Sequence, residues 1–126
     1  ARLPLTNVNG VYDGAALRAL YRDTRVLVNV HQTGEHHTFE ELRVLPALLC
    51  GAIVVSENVP LREMIAYQEF VVWTGYDELA DTVHAVLADY AAYRERIFGG
   101  GRFDALVERM RRDNRDAVKT TLQRLR

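Results

Sequence analysis

The 126-residue sequence predicts an α/β fold, a three-layer sandwich with helices on both faces of a short parallel sheet. Three observations lead there. Short β-branched runs are apolar throughout rather than alternating, amphipathic stretches separate them, and turn residues mark the changeovers. Strands separated by helices take right-handed crossovers and form a parallel sheet covered on both sides. The length leaves room for one domain and buries roughly two-thirds of the extended surface, enough for a real core.

The elements follow in order. Asp13 caps a short helix over residues 15–21, with Leu17, Leu20 and Tyr21 on one face. Residues 26–30, Val-Leu-Val-Asn-Val, form the first buried strand. Residues 39–49 are helical and Gly51 stops them. Residues 52–55 form the second strand, and Pro60 opens a short helix over 60–66. Residues 70–73 make the third strand. A longer helix over 77–97 carries Leu79, Val83, Val86, Leu87, Tyr90 and Ile97 at helical spacing, and Gly99, Gly100 and Gly101 break it. A final helix over 103–125 carries Phe103, Leu106, Val107, Met110, Ala117, Val118, Leu122 and Leu125 as its expected buried stripe. A fourth strand is expected from residues 3–11, weakened by Pro4, Asn7, Asn9 and Gly10. The whole is a Rossmann-like arrangement of 3–4 strands with a long C-terminal helix, an α/β core over 1–101 and a closing basic helix over 102–126.

Composition narrows the function classes. Apolar residues are 48% and charged residues 26%, which excludes disordered, collagen-like and low-complexity classes. No apolar run approaches the roughly 20 residues of a membrane span, and no signal segment opens the chain. The single cysteine, Cys50, excludes an internal disulfide and any paired-cysteine zinc or redox site; it reads as a buried structural thiol in a reducing, cytoplasmic setting. Residues 1–101 carry 8 basic and 13 acidic side chains, a net of −5, whereas residues 102–126 carry 8 and 4, a net of +4. The basic tail reads as a solvated helix face, and nucleic acid is not an expected partner. The chain begins at Ala1 rather than Met and is expected to be a piece of a longer enzyme.

In open parallel sheets ligands bind at the carboxyl ends of the strands, where loops lead into helix N-termini. The richest such loop runs from His31 to Thr38. Thr38, Phe39, Glu40 and Glu41 fit a capping box, in which the Thr38 hydroxyl and the Glu41 carboxylate satisfy each other's backbone N–H. Free N–H groups and the helix dipole there favour an anion such as a phosphate, and Arg43 adds a bidentate cation. The two glutamates repel an anion at the cap itself, so a diphosphate is expected beside them, near Arg43. His31, Glu35, His36 and His37 lie within seven residues but lack zinc-ligand spacing, so no metal is expected and the imidazoles read as hydrogen-bonding or loop-lining groups. A metal-dependent hydrolase using these histidines is the outlying reading. His84 reads as surface or satisfied packing. Pro46 cannot donate to the Leu42 carbonyl, so either the helix kinks there or it begins later than the capping box implies.

Residues 20–31 (Leu-Tyr-Arg-Asp-Thr-Arg-Val-Leu-Val-Asn-Val-His) and 42–55 (Leu-Arg-Val-Leu-Pro-Ala-Leu-Leu-Cys-Gly-Ala-Ile-Val-Val) together carry a family resemblance. Their order and spacing resemble the C-terminal domain of group 1 glycosyltransferases with the GT-B fold, closest to the spore-maturation-like branch, over roughly residues 10–98. The resemblance implies the C-terminal half of a two-domain enzyme, of hexosyltransferase type, acting in polysaccharide biosynthesis. Such a domain holds the diphosphate of a nucleotide-sugar donor and no other cofactor, while an N-terminal domain of the same enzyme binds a glycan or other acceptor. The family's arginine falls on Arg43 and its helix-start loop on His36, His37 and Thr38. The family's ribose-holding glutamate falls on Pro46, which has no carboxylate; Glu35, Glu41 or Glu57 are the candidates to replace it. The basic C-terminal helix is compatible with a peripheral membrane contact. The expected donor-contact set is therefore His31, Glu35, His36, His37, Thr38, Glu41, Arg43 and Glu57. The alternative is a noncatalytic Rossmann-like binding or assembly module that has lost the donor site.

Overall fold

The computed structural model describes residues 6, 8, 10–31 and 38–125. Helix α1 (Gly14–Asp23) starts at Asp13, whose Oδ2 accepts the Ala16 N–H at 2.7 Å, as its capping role requires. Strand β1 (Val26–Asn29) is followed by α2 (Glu41–Leu49), β2 (Ile53–Glu57) and β3 (Val72–Thr74). A 3-10 turn over Arg62–Met64 stands where the sequence predicts a short helix. Helices α3 (Leu79–Ala88), α4 (Tyr90–Phe98) and α5 (Arg102–Arg124) complete the order.

The three strands are parallel and lie in chain order, with β2 in the centre. The fold is Rossmann-like, with a short sheet and a long final helix. Ile53, Val54 and Val55 are all fully buried, so both faces of β2 are covered. On those faces α2 and α3 pack against β1 and β2, with α1 against α2 and α4 against α3. Burying a valine or isoleucine side chain contributes about 1.5–3 kcal/mol, and the central strand supplies three in succession. The expected strand over 3–11 falls largely outside the described residues, and its described members Thr6, Val8, Gly10 and Val11 are not in a strand.

Two helices depart from expectation. The continuous helix over 77–97 breaks at Asp89, whose φ −121° and ψ 44° are not helical. The break lets each half bury its own contact, Val86 from α3 and Ile97 from α4. Arg94 of α4 donates to the Gly51 carbonyl at 2.9 Å, and Arg25 stacks on Tyr90 at 4.3 Å. Both contacts tie α4 to the amino edge of the sheet. Gly100 and Gly101, at φ 68° and 72°, turn the chain into α5 through conformations that favour glycine.

The second departure concerns the stripe of α5. Phe103, Leu106 and Val107 are buried and Met110 half-buried, with Phe103 meeting Phe70 and Phe98 edge-on at 5.2 and 5.7 Å. Every residue from 111 to 125 is exposed, so Ala117, Val118, Leu122 and Leu125 are not core. The helix outruns the domain that its first turns pack against. Among the described residues no helix is long and apolar enough to cross a membrane.

Candidate functional site

The polar residues of the two longer strands meet at the carboxyl edge of the sheet. Asn29 ends β1 and is in register with Ser56 of β2, so the two side chains emerge on the same face as neighbours. Both are fully buried. The Asn29 Nδ2 donates to Ser56 Oγ at 3.0 Å, and Ser56 Oγ donates to the Glu57 carbonyl at 3.0 Å. The other end of the Asn29 amide, Oδ1, accepts from Arg43 Nη1 at 3.3 Å. Buried polar groups persist in an apolar strand only when paired in this way.

Arg43 reaches this edge from the first turn of α2. It is exposed, and Asn29 is its hydrogen-bond partner among the described residues. A neutral amide orients a guanidinium without cancelling its charge, so the remaining N–H donors face outward as a cation. Glu57 closes the end of β2. Its Oε2 accepts the His31 backbone N–H at 2.6 Å and lies 3.5 Å from His31 Nδ1. His31, Arg43 and Glu57 are thus brought to one edge. Glu35, His36 and His37 lie outside the described residues.

Thr38 and Glu41 are placed differently from expectation. The capping box does not form: the cap of α2 is Glu40, with no side-chain hydrogen bond, and the Glu41 N–H bonds to the Phe39 carbonyl instead. Phe39 is drawn inward against Trp73 at 5.4 Å and Tyr67 at 6.2 Å, which unwinds the turn that the box needs. Thr38 and Glu41 are left exposed. The later start leaves Pro46 inside the helix, and the carbonyl it leaves without a donor belongs to Leu42, a residue 91% exposed and open to water.

Beneath the α2 start sits Tyr67, 1% exposed, whose hydroxyl has no hydrogen-bond partner among the described residues. Burial pushes its phenol above the ordinary range, and the negative Glu41 carboxylate pushes it further. It stays a neutral donor at any physiological pH. Sequence reasoning missed Asn29, Ser56 and Tyr67. The first two stand at the ends of apolar runs, but their pairing exists only once β1 and β2 are in register.

Two open grooves lie elsewhere. One of about 380 Å³ is lined by Ala91, Arg94, Glu95, Phe98 and Gly99, and another of about 230 Å³ by Asp89, Ala92, Tyr93 and Arg96. Both run along α4, which is tied to the amino edge. Neither gathers the strand-end polar groups that orient a ligand, so chemistry favours the carboxyl edge. Among the described residues no cluster of His, Cys, Asp or Glu could hold a metal. Cys50 is a free, half-buried thiol.

The chain is 30% identical over 83 residues to an uncharacterized protein of Acanthamoeba polyphaga mimivirus, an alignment covering 63% of this chain and 30% of the relative. It therefore spans about a third of that relative's length. No solved structure matches it. The glycosyl transferase-like family matches residues 5–117, which takes in the sheet, the Arg43 edge and most of α5. By that match the chain belongs to the glycosyl transferase-like family.

Proposed function

We propose that this chain is the donor-binding unit of a glycosyltransferase, holding the diphosphate of a nucleotide-sugar at the carboxyl edge of its sheet. The observation that carries the reading is the state of Arg43, an exposed guanidinium oriented by the neutral Asn29 and paired with no carboxylate among the described residues. Within this reading the chain is the C-terminal half of a GT-B enzyme of the spore-maturation-like branch, and the acceptor is bound by another domain of the same polypeptide. The absence of a carboxylate at Pro46 passes the ribose-holding role to Glu57, whose Oε1 is not used by the His31 contact. That choice follows from position: an acidic side chain ending the strand beside β1 is where Rossmann-like sites hold a ribose diol.

The chemistry asked of this unit is electrostatic. Sugar transfer releases a nucleoside diphosphate, and negative charge grows on its bridging oxygen as the glycosidic bond breaks. A fixed cation at that oxygen stabilises the transition state more than the ground state. Arg43, exposed and already oriented, offers this without reorganisation. Glu40 and Glu41 repel an anion on the axis of α2, which directs the diphosphate toward Arg43 and the β1 end.

Calorimetry with UDP-, GDP- and dTDP-sugars tests the reading. One of them is expected to bind, with affinity falling about tenfold or more in Arg43→Ala, the loss of one charge-assisted contact. Binding unchanged by that substitution, or no binding of any donor, would refute it, and the latter result points to a noncatalytic module.

A further inference from the structure

We infer that Asn29 is the positioning residue of this anion seat, holding the Arg43 guanidinium at the sheet edge without neutralising it. The inference rests on the donor-site reading above. Asn29 is fully buried at the end of Val-Leu-Val, a place where an apolar residue costs nothing and an amide must recover its lost hydration.

Its orientation is decided by Ser56. A hydroxyl has one proton, and that of Ser56 goes to the Glu57 carbonyl. Toward Asn29, Ser56 can therefore only accept. The Asn29 Nδ2 must face Ser56 and its Oδ1 must face Arg43, in agreement with the 3.0 and 3.3 Å contacts. From Arg43 through Asn29 and Ser56 to the Glu57 carbonyl, every donor points the same way. In such a chain each bond polarises the next, and the last acceptor is fixed because it is backbone.

The choice of an amide has a chemical reason. Aspartate has the same shape and would present the same oxygen with a full negative charge. It would pair with Arg43 and withdraw the cation from a diphosphate. A shorter side chain would release the guanidinium to sample many rotamers, which an incoming ligand would then have to order. Asparagine avoids both outcomes, and among the described residues only Nη1 is engaged, which leaves the rest of the guanidinium fork for the ligand.

Titration of the 126-residue chain with uridine diphosphate, and with inorganic pyrophosphate as a probe lacking the nucleoside, tests the inference at several salt concentrations. Asn29→Asp is expected to weaken uridine diphosphate by about tenfold or more and to flatten the salt dependence, since one cation is neutralised. Asn29→Ser is expected to cost about three- to tenfold through lost ordering of one long side chain, and that loss should vanish in an Arg43→Gln background. A folded Asn29→Asp that keeps the parent affinity and salt dependence overturns the inference. So does an Asn29→Ser loss of equal size with and without Arg43, which is what a merely structural role would give. Should one variant fail to fold by circular dichroism, the other decides. If the parent chain binds neither probe, the donor-site reading falls and takes this inference with it. Arg43-dependent binding that ignores residue 29 overturns this inference alone.

Discussion

Glu57 accepts the backbone N–H of His31 through Oε2 at 2.6 Å, joining the end of β2 to the first residues that leave β1. The bond is between elements 26 residues apart, and its acceptor side chain is 14% exposed. It holds His31 against the end of β2 at the carboxyl edge of the sheet. Glu57→Ala is expected to lower stability by about 1–3 kcal/mol, the cost of leaving a partly buried N–H unpaired. Glu57→Gln, which keeps an acceptor oxygen, should lose less. Urea unfolding measures both, and faster hydrogen exchange at the His31 amide identifies the bond responsible.

Tyr67 makes a different kind of test, because its buried hydroxyl makes no hydrogen bond to a described residue. Tyr67→Phe is expected to change stability at neutral pH by no more than about 1 kcal/mol, since the polar neighbour of the hydroxyl, Glu41, is exposed and keeps its water. Above the ordinary tyrosine value of 10.0, the unfolded phenol releases its proton while the folded one keeps it. The unfolded state then binds fewer protons, and stability falls as pH rises. Thermal unfolding between neutral and strongly alkaline pH should show that fall in the parent and a shallower one in Tyr67→Phe.

The two halves of α5 predict opposite outcomes for one substitution. Leu106 is 7% exposed and Leu122 57% exposed. Leu106→Ala is expected to cost about 2–5 kcal/mol through a cavity in the core. Leu122→Ala should stay within about 0.5 kcal/mol, as surface changes do. Denaturant midpoints for the two variants decide between a helix half packed and one packed throughout.

That contrast shows where sequence reading stops. The apolar spacing of α5 resumes at Ala117 after the polar run 111–116 and reports an amphipathic helix, but not whether anything covers it. Helices α3 and α4 failed for a related reason, since helical spacing carries across Asp89 whether or not the backbone does. The parallel strands were legible because continuous apolar runs rich in β-branched residues suit them, and 26–28 and 53–55 supply such runs. Only the central β2 is covered on both faces, and Val26, Leu27 and Val28 of β1 are half-buried. The start of α2 was misread because a capping box is a local pattern, and Phe39 obeys a tertiary demand, its place beside Tyr67 and Trp73. For the candidate site, His31 was legible in the loop after a strand and Arg43 in the helix that follows, while Glu57 was legible only through the family resemblance, as a replacement for the carboxylate absent at Pro46. Asn29 and Ser56 were not, since their partnership exists only once β1 and β2 are in register.

Central to this account is an anion seat at the carboxyl edge beside Arg43, and amide-resolved NMR during titration with uridine diphosphate tests it most directly. Shifts should gather at Asn29, His31, Glu41, Leu42, Arg43 and Glu57. The amino-edge residues Arg25, Gly51 and Arg94 should stay still. Shifts centred on the Arg94–Phe98 groove of α4, or none at saturating nucleotide, would contradict it.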